Sequence, residues 1–419
     1  MIAVAAENKK TVWLGEFPSH WEVLRIKNLF QEMENRSETG SEELLSVSHY
    51  TGVTLKRESL ENEDDHLTNA ESLVGYKLVE KQDLVINIML AWNGSLGISP
   101  FNGITSPAYC VYRIKGENNP EYFGYLFSTA MFKAEFRRNS TGIIDSRLRL
   151  YSDKFFSIFS VVPPKEEQDE IVQHIKTEEE KIKQFIQKKK RIIELLTEQR
   201  QSIINQAVTK GEGKWISKRL KFIADLKFSN VDKHSYEEEI PVRLCNYVDV
   251  YKNDYITNDM ELMNATATEN EIERFKVLKG DVIFTKDSEE ASDIAVPTFV
   301  KEDLENVVCG YHLGLIRADE TQVLSEYLFR SFQSKEINSY FEVRATGVTR
   351  VGLSLDDISS VKISFPKSIE EQQKIIEHIK TETKTIDTAI AKAEREIELI
   401  REYKEAMISE AVMGKRNLN

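Results

Sequence analysis

The sequence contains little that would support a disulfide framework, a zinc site or a membrane span. Its 419 residues include three cysteines, Cys110, Cys245 and Cys309, which are far apart and show no paired spacing. We expect them to be small core residues in strands. No run of about 18 apolar residues could cross a bilayer, and residues 1–10 lack the basic start and apolar core of a signal peptide. The sequence therefore predicts a cytoplasmic protein with no membrane association.

The short motifs that carry catalysis or cofactor binding are also missing. The sequence has no Gly-x-Gly-x-x-Gly, no Gly-x-x-x-x-Gly-Lys, no His-Glu-x-x-His and no Gly-x-Ser-x-Gly. The only Pro-Pro pair, Pro163-Pro164, departs at both flanks from the motif of nucleic-acid amino-methyltransferases. His174 and His378 lie in helical sequence without a second ligand nearby, so we expect structural or solvent-facing roles for them. The sequence predicts no catalytic residue and no metal site.

Positive charge is in deficit, with 56 Lys and Arg against 69 Asp and Glu and a net charge of −13. Taken alone, this balance argues against a nucleic-acid partner, because phosphate binding requires Lys and Arg. The acidic residues are concentrated, however, in long helical segments and in stretches such as 61–65 and 237–239. Local basic surfaces can therefore coexist with the acidic average.

A long, charged helical segment is present twice. Residues 167–208 and 371–412 align at a constant offset of 204, and 19 of the 42 aligned positions are identical. Both copies contain His-Ile-Lys-Thr-Glu, at 174–178 and at 378–382. A helix of this size would be roughly 63 Å long, which is longer than a compact domain needs for its own core.

Each copy places apolar residues on a seven-residue repeat, as in helices that pair. These seam residues are Ile175, Ile182, Phe185, Ile192, Leu196 and Ile203 in the first copy, and Ile379, Ile386, Ala389, Ala393, Ile400 and Met407 in the second. Polar residues interrupt the first seam at Glu178, Lys189 and Gln199. We therefore predict an antiparallel coiled coil between the two copies rather than an extended homodimeric rod. Two ordinary amphipathic helices in separate bundles are the alternative.

The repeat extends beyond these helices. Residues 21–30 and 215–224 share Trp, Arg and Lys positions at an offset of 194. Each copy then continues with similar predicted elements: strands at 83–88 and 281–284, strands at 108–114 and 312–317, amphipathic helices at 121–138 and 326–343, Thr-Gly turns, and final strands at 156–162 and 360–365 that end at proline. The order predicts an α+β protein with an internal pseudo-two-fold duplication. A short link at Gly211 and Gly213 separates the copies.

Arginines flank both Thr-Gly turns. An arginine can hold a phosphate as a fork and can read guanine with two hydrogen bonds, and a glycine turn lets backbone N–H groups approach a phosphate closely. The candidate DNA-binding residues are Arg137, Arg138, Thr141, Gly142, Arg147 and Arg149 in the first copy, and Arg344, Thr346, Gly347 and Arg350 in the second. For any single arginine a solvated basic turn is the alternative, but the coincidence in both copies favours DNA contact.

The complete arrangement resembles the specificity subunit of Type I restriction-modification systems, in which two target-recognition domains alternate with two conserved helical regions. The resemblance is carried by Trp-Leu-Gly-Glu-Phe-Pro-x-His-Trp-Glu-Val-x-Arg-Ile-Lys at 13–27, the Thr-Gly turns, the strand and Pro-Pro-x-x-Glu-Gln-x-x-Ile passage at 158–171, Phe365-Pro366 with Glu371-Gln372 and Ile375, and the helix ends at 206–211 and 410–414. The second copy lacks the start of the first motif and keeps only Trp215, Arg219 and Lys221.

The resemblance implies a target-recognition domain at 1–164, a conserved long helix at 165–210, a second target-recognition domain at 211–366 and a second long helix at 367–419. It implies a non-catalytic subunit that binds a bipartite, asymmetric target in double-stranded DNA. Its expected partners are two methyltransferase subunits and restriction subunits. S-adenosylmethionine, ATP and Mg would be bound by those partners and not by this chain.

Two other classes of function remain as alternatives. A coiled-coil interaction adaptor without sequence-specific DNA binding would explain the helices and the net charge. It would not explain two divergent copies of an α/β domain. A self-sufficient enzyme would need a set of catalytic residues, and the sequence contains none of the catalytic motifs named above.

Overall fold

The computed structural model of the protein describes residues 2–4, 11–49, 51–56, 72–144, 147–209 and 214–416. It contains two compact units, which we call unit 1 (residues 1–188 and 396–419) and unit 2 (residues 189–395). Each unit combines one α/β region with a section of both long helices. The predicted link at Gly211 and Gly213 lies outside the described residues. No helix in the described ranges is long and apolar enough to cross a membrane.

Unit 1 is built around a four-stranded antiparallel sheet. The strands of the unit are β1 Ile2–Val4, β2 Glu16–Pro18, β3 Glu22–Arg25, β4 Phe30–Met33, β5 Leu45–Ser48, β6 Gly52–Leu55, β7 Lys77–Val79, β8 Leu84–Asn87, β9 Leu96–Ile98, β10 Gly103–Thr105, β11 Tyr109–Ile114 and β12 Phe159–Val162. The sheet has the order β4-β11-β8-β9. All four residues of β8 are buried, as expected for a strand covered on both faces. β3 pairs with β12 and so joins the start and the end of the α/β region.

Four short helices and the first long helix belong to this part of the chain. They are α1 Ile26–Leu29, α2 Pro120–Ser128, α3 Ala130–Asn139, α4 Ser152–Ser157 and the long α5 Lys165–Thr209. The prediction of one helix over 121–138 is wrong, because Thr129 interrupts it. The Thr129 hydroxyl donates to the carbonyl oxygen of Leu126 at 2.7 Å and accepts from the N–H of Phe132 at 3.4 Å. A side chain that satisfies backbone groups at two helix ends competes with helix continuation.

Phenylalanine side chains fill the space between the helices and the sheet of unit 1. The Phe127 ring is fully buried, and its centroid lies 5.9 Å from that of Phe30, 5.1 Å from Phe132 and 5.8 Å from Phe136. Burying a ring of this size stabilises the fold by about 1.5–3 kcal/mol. Phe136 is one residue from Arg137, so this core also anchors the end of α3 and the turn that follows it.

Unit 2 repeats the central sheet and extends it. Its strands are β13 Trp215–Arg219, β14 Ala224–Phe228, β15 Ile240–Cys245, β16 Tyr255–Ile256, β17 Met263–Ala267, β18 Val282–Thr285, β19 Asp287–Ser288, β20 Pro297–Val300, β21 Val307–Cys309, β22 Leu313–Ala318, β23 Val351–Gly352 and β24 Lys362–Pro366. The main sheet has the order β14-β22-β18-β20-β16, and a second sheet has the order β17-β15-β21. β13 pairs with β24 as β3 pairs with β12.

The helices of unit 2 show the same departure from the sequence prediction. They are α6 Tyr247–Lys252, α7 Glu269–Phe275, α8 Ser325–Phe332, α9 Lys335–Glu342, α10 Leu355–Ser360 and the long α11 Ile369–Val412. The helix predicted over 326–343 is again two helices, because Ser334 accepts from the N–H of Ile337 and begins α9. The predicted final strands are too long at their starts, since residues 152–157 and 355–360 form α4 and α10.

An ion pair between a partly exposed arginine and a buried aspartate occurs at the same place in both central sheets. Nε of Arg113 on β11 donates to Asp83 at 2.8 Å, and Nε of Arg317 on β22 donates to Asp281 at 2.8 Å. Both aspartates are 1% exposed. In each pair a second guanidinium nitrogen binds the other carboxylate oxygen, which raises the pKa of the arginine. The duplication therefore extends to individual side-chain contacts.

A glutamine near the start of each long helix joins that helix to its α/β region. Gln168 is 1% exposed, its side-chain amide donates to the carbonyl oxygen of Pro163 at 2.8 Å, and its Oε1 accepts from the N–H of Asn119 at 2.8 Å. Gln372 makes the equivalent two bonds at 2.9 and 2.8 Å. The Glu-Gln pairs in the sequence therefore include one glutamine that satisfies buried backbone groups.

The long helices pack against each other in antiparallel orientation. In unit 1, Nε1 of Trp21 donates to Glu167 near the start of α5, and the Trp21 ring also contacts Gly414, which follows the end of α11. Farther along the same two helices, Nζ of Lys404 lies 2.9 Å from Glu179. The predicted antiparallel helix pair and duplicated α/β architecture are confirmed.

The buried face of the helix pair differs in detail from the predicted seam. Ile175, Ile182, Ile379, Ile386, Ala393 and Met407 are buried, Leu196, Ile203, Ala389 and Ile400 are half-buried, and Phe185 and Ile192 are 36% and 44% exposed. Near the end of α5 the fully buried residue is Ile204, next to the predicted Ile203. A straight helix drifts by about 20° per heptad relative to a seven-residue repeat. Over several heptads this drift moves the buried face by one residue.

Candidate nucleic-acid interface

The Thr-Gly turn of unit 1 is closed by an antiparallel backbone bridge. The N–H of Thr141 donates to Arg149 at 2.9 Å, and the N–H of Arg149 donates back at 3.0 Å. A side chain at Gly142 would place its Cβ 2.5 Å from the carbonyl oxygen of Arg147. Only glycine allows the two sides of the turn to approach this closely. Residues 145–146, inside the same loop, lie outside the described residues.

The four arginines at this turn have different surroundings. Arg138 forms an ion pair with the buried Glu135 at 2.6 Å, which offsets part of its charge. The guanidinium of Arg137 lies 5.4 Å from the centre of the Trp92 ring, a cation–π contact that orients it. Arg147 is exposed, whereas Arg149 is half-buried and its buried Nη1 has no hydrogen-bond partner among the described residues. The exposed Arg147 is therefore better placed than the paired Arg138 to bind a phosphate.

The turn of unit 2 has the same construction. Thr346 and Gly352 exchange backbone hydrogen bonds of 3.1 and 2.9 Å, and a Cβ on Gly347 would lie 1.9 Å from the carbonyl oxygen of Arg350. The guanidinium of Arg344 lies 3.7 Å from the centre of the Tyr340 ring. The structure thus places the predicted residues of each copy around one narrow turn.

A group of polar and aromatic residues surrounds the unit 2 turn that the sequence did not single out. β19 pairs with β23 directly beside the turn, and this places Asp287 next to Arg350, with 3.8 Å between the carboxylate and the guanidinium. Nδ1 of His312 lies 2.8 Å from the other oxygen of Asp287. Lys286 Nζ lies 4.5 Å from the centre of the Tyr311 ring, and burial lowers the pKa of this lysine. A basic, aromatic surface of this kind can donate hydrogen bonds to base edges and stack on sugars or bases.

Two tyrosines extend this surface on α6. The rings of Tyr247 and Tyr251 are stacked, with centroids 5.5 Å apart, and the Arg350 guanidinium lies 5.9 Å from the centre of the Tyr247 ring. The Tyr251 hydroxyl donates to Asp293, which raises the pKa of Tyr251 to about 12.

The equivalent position in unit 1 has different chemistry. The N–H of Leu150 donates to Ile88 at 2.9 Å, just as the N–H of Leu353 donates to Lys286 at 3.0 Å in unit 2. Around Ile88 the chain presents Met89 and the exposed Leu90, whereas Asn87 is buried and its amide donates to the Tyr109 hydroxyl at 3.4 Å. The two units therefore have matching turns with different neighbouring residues, which are apolar in unit 1 and charged in unit 2.

The residue after each turn glycine is apolar and fully exposed. Ile143 and Val348 are 100% and 103% exposed, the highest values for large apolar side chains in the described part of the chain. The sequence prediction named the preceding Thr-Gly pairs and missed these two residues. The available signal was an apolar residue directly after the glycine in both copies.

The remaining sequence candidates lie away from the turns. His174 has a buried Nε2 without a hydrogen-bond partner among the described residues, and His378 is exposed beside a cavity of about 570 Å³ in unit 2. The three cysteines lie buried in β11, β15 and β21 with free thiols. Within the described ranges, no group of three or more His, Cys, Asp or Glu side chains could hold a metal ion.

Comparison with known proteins finds a family model that matches part of the chain. Residues 214–399 match the family model of the Type I restriction modification DNA specificity domain. No curated protein matches the sequence. Over residues 214–399 this match agrees with the resemblance to Type I specificity subunits drawn from the sequence.

One solved structure shows the fold over nearly the whole chain. A chain from a structure on complex assembly and conformational transition of the type I R-M system is 13% identical, with 96% of this chain and 99% of that chain covered and a TM-score of 0.67. The HsdS subunit from Thermoanaerobacter tengcongensis is 14% identical, with 96% and 98% covered and a TM-score of 0.48. The S subunit of a Type I system from M. genitalium is 11% identical, with 95% and 97% covered and a TM-score of 0.37. At such identities the first of these likenesses establishes a shared fold.

Proposed function

We propose that this chain is the non-catalytic DNA-recognition subunit of a Type I restriction-modification complex and that it reads a bipartite, asymmetric target. The observation that carries the proposal is the pair of equivalent Thr-Gly turns, each framed by arginines and each set beside different side chains. The match of residues 214–399 to a DNA specificity domain supports this role for unit 2. The duplicated fold supports the same role for unit 1.

Within this proposal the arginines divide into two roles. Arg137, Arg147, Arg344 and Arg350 bind phosphates around the turns, because each is at least partly exposed and lies beside the turn backbone. Arg138 and Arg149 hold the loop, through Glu135 and through the backbone bridge to Thr141. Thr141, Gly142, Thr346 and Gly347 keep the turns narrow enough to enter a groove of DNA.

The unlike neighbours of the turns support two different half-sites. Unit 2 offers Lys286 and His312, whose N–H groups can donate to base acceptors such as guanine O6 and N7. Unit 1 offers the apolar Met89 and Leu90 at the corresponding place. Each unit therefore recognises its own short sequence.

The partners in this proposal are double-stranded DNA, two methyltransferase subunits and restriction subunits, all in the cytoplasm. S-adenosylmethionine, ATP and Mg act on the partner subunits. The net charge of −13 fits this division, because surfaces that face protein partners need no positive charge. The coiled-coil adaptor is the competing function.

Methylation mapping tests the proposal. The chain is expressed with its methyltransferase partners in a cell without other DNA modification, and methylated positions are mapped across the genome. We expect one motif with two defined halves separated by a spacer of fixed length. Partner assembly without any defined motif would favour the adaptor and contradict the proposal.

A further inference from the structure

The two apolar residues at the turn tips indicate what the turns contact. Ile143 and Val348 expose their whole side chains to solvent at equivalent positions in the two units. Exposure of a large apolar side chain opposes the hydrophobic effect, and its occurrence at both tips indicates a contact that forms on binding.

The backbone holds these side chains outward. Bridges between Thr141 and Arg149, and between Thr346 and Gly352, close each turn at its base. The glycine that precedes each apolar residue packs tightly against the returning backbone, with no room for a Cβ. The next side chain is consequently presented at the tip of a narrow projection.

The surroundings of the tips match an anionic partner. Arg147 follows the tip of unit 1 on an exposed stretch, and Arg350 follows the tip of unit 2. Arg344 precedes the second tip and stacks on Tyr340. An apolar residue bracketed by guanidinium groups suits DNA, where phosphates flank the apolar parts of the bases.

Resting on the proposed function, we propose that Ile143 and Val348 read thymine, each by contact with the 5-methyl group of one T·A pair in its half-site. The thymine methyl is the apolar group that base edges present in the major groove. Insertion between base pairs is less suited to these residues, because wedges are usually Phe, Leu, Ile, Met or Pro, and Val348 is short. A shared role for Ile143 and Val348 therefore favours methyl contact.

The test replaces thymine by uracil, which lacks only the methyl group. The complete complex with its methyltransferase subunits is bound to duplexes of the mapped motif, in which each thymine of either strand is replaced in turn by deoxyuridine. Loss of one methyl contact should weaken binding by about fivefold at one position in each half-site. In Ile143→Ala the effect should disappear from one half-site only, and in Val348→Ala from the other half-site only.

Two variants provide matched controls. Val12→Ala and Val343→Ala remove exposed apolar side chains, 57% and 77% exposed, that are not at a turn tip. Both controls should keep the full uracil pattern. Because all four side chains are exposed, thermal unfolding of the variants should match that of the unsubstituted protein.

Several results would overturn the inference. A half-site without any T·A pair, or uracil effects that persist in both tip variants, would rule out methyl reading. Weaker assembly with methyltransferase subunits and an unchanged uracil pattern would assign the tips to a protein contact. An increase in the fluorescence of 2-aminopurine placed in the target, if it depends on Ile143, would indicate that Ile143 inserts between base pairs. If the unsubstituted complex methylates no defined motif, the proposed function is wrong and the inference is wrong with it. A defined motif without the expected uracil effects would contradict the inference alone.

Discussion

At the scale of single residues, arginines that look alike in the sequence differ in the side chains that they contact. Arg137 and Arg138 are adjacent, yet Arg138 is paired with the buried Glu135 whereas Arg137 stacks on Trp92. Movement of the Arg138 guanidinium away from Glu135 would leave a buried carboxylate unpaired, which costs free energy. A guanidinium stacked on an aromatic ring is held in one orientation by the ring.

The first prediction follows from this difference. Arg137→Ala and Arg344→Ala should each lower the affinity for DNA of any sequence and reduce the slope of log K against log salt concentration by about 0.9. Arg138→Ala should change the slope less. The measurement is fluorescence-anisotropy titration of a random-sequence duplex between low and moderate salt.

Arg191→Ala is the matched control, since Arg191 is an exposed arginine on α5 that pairs with Glu194. It should leave the slope unchanged. Equal slopes in all four variants would show that the arginines at the turns are solvated surface residues without phosphate contacts.

At the scale of elements, side chains at helix ends set the boundaries that apolar periodicity leaves open. Thr129 and Ser334 divide helices whose apolar pattern continues across the break. Gln168 and Gln372 join the long helices to the α/β regions through backbone hydrogen bonds. The buried face of α5 likewise follows the true helical period and not the heptad read from the sequence.

The second prediction concerns that buried face. Ile204 is 0% exposed in the core of unit 2, next to the half-buried Ile203. Ile204→Ala should lower the free energy of unfolding by about 2–5 kcal/mol, because it leaves a cavity in a closed core. Ile203→Ala should cost only about 1 kcal/mol. Urea unfolding followed by circular dichroism measures both.

The two variants are controls for each other, since they remove the same side chain one position apart. A larger cost for Ile203→Ala than for Ile204→Ala would place the buried face of α5 on the heptad positions. The structural account of the helix pair would then be wrong.

At the scale of the whole molecule, one framework is used twice with different surfaces. The ion pairs Arg113–Asp83 and Arg317–Asp281, the strand pairs that close each α/β region and the bridged turns are the same in both units. The side chains beside the turns differ. A duplicated framework with divergent contact residues can bind two unlike sequences without changing its fold.

The third prediction uses this modularity. Replacement of residues 30–150 by the same region of a related specificity subunit should change one half of the methylated motif and leave the other half intact, because the exchanged region contains the turn of unit 1 but not that of unit 2. Methylation mapping reads out both halves. A reciprocal exchange that spans the second turn serves as the control, and changes in both halves after either exchange would contradict modular recognition.

The sequence by itself determined the duplication, the two long helices and the two Thr-Gly turns. These features depend on local patterns: an offset of 204 that repeats, apolar spacing close to the helical period, and glycine where the backbone must approach itself. Such signals are present in contiguous stretches of chain and need no knowledge of what packs against them.

Only the tertiary structure decided which residues surround the turns and which side chains each arginine contacts. In the chain, Asp287 is 25 positions before His312 and 63 positions before Arg350. The three meet because β19 pairs with β23 beside the start of β22. The burial of Ile204 also depends on neighbours that are distant in sequence. Pairing of strands and packing of helices are non-local interactions, so residue spacing alone does not specify them.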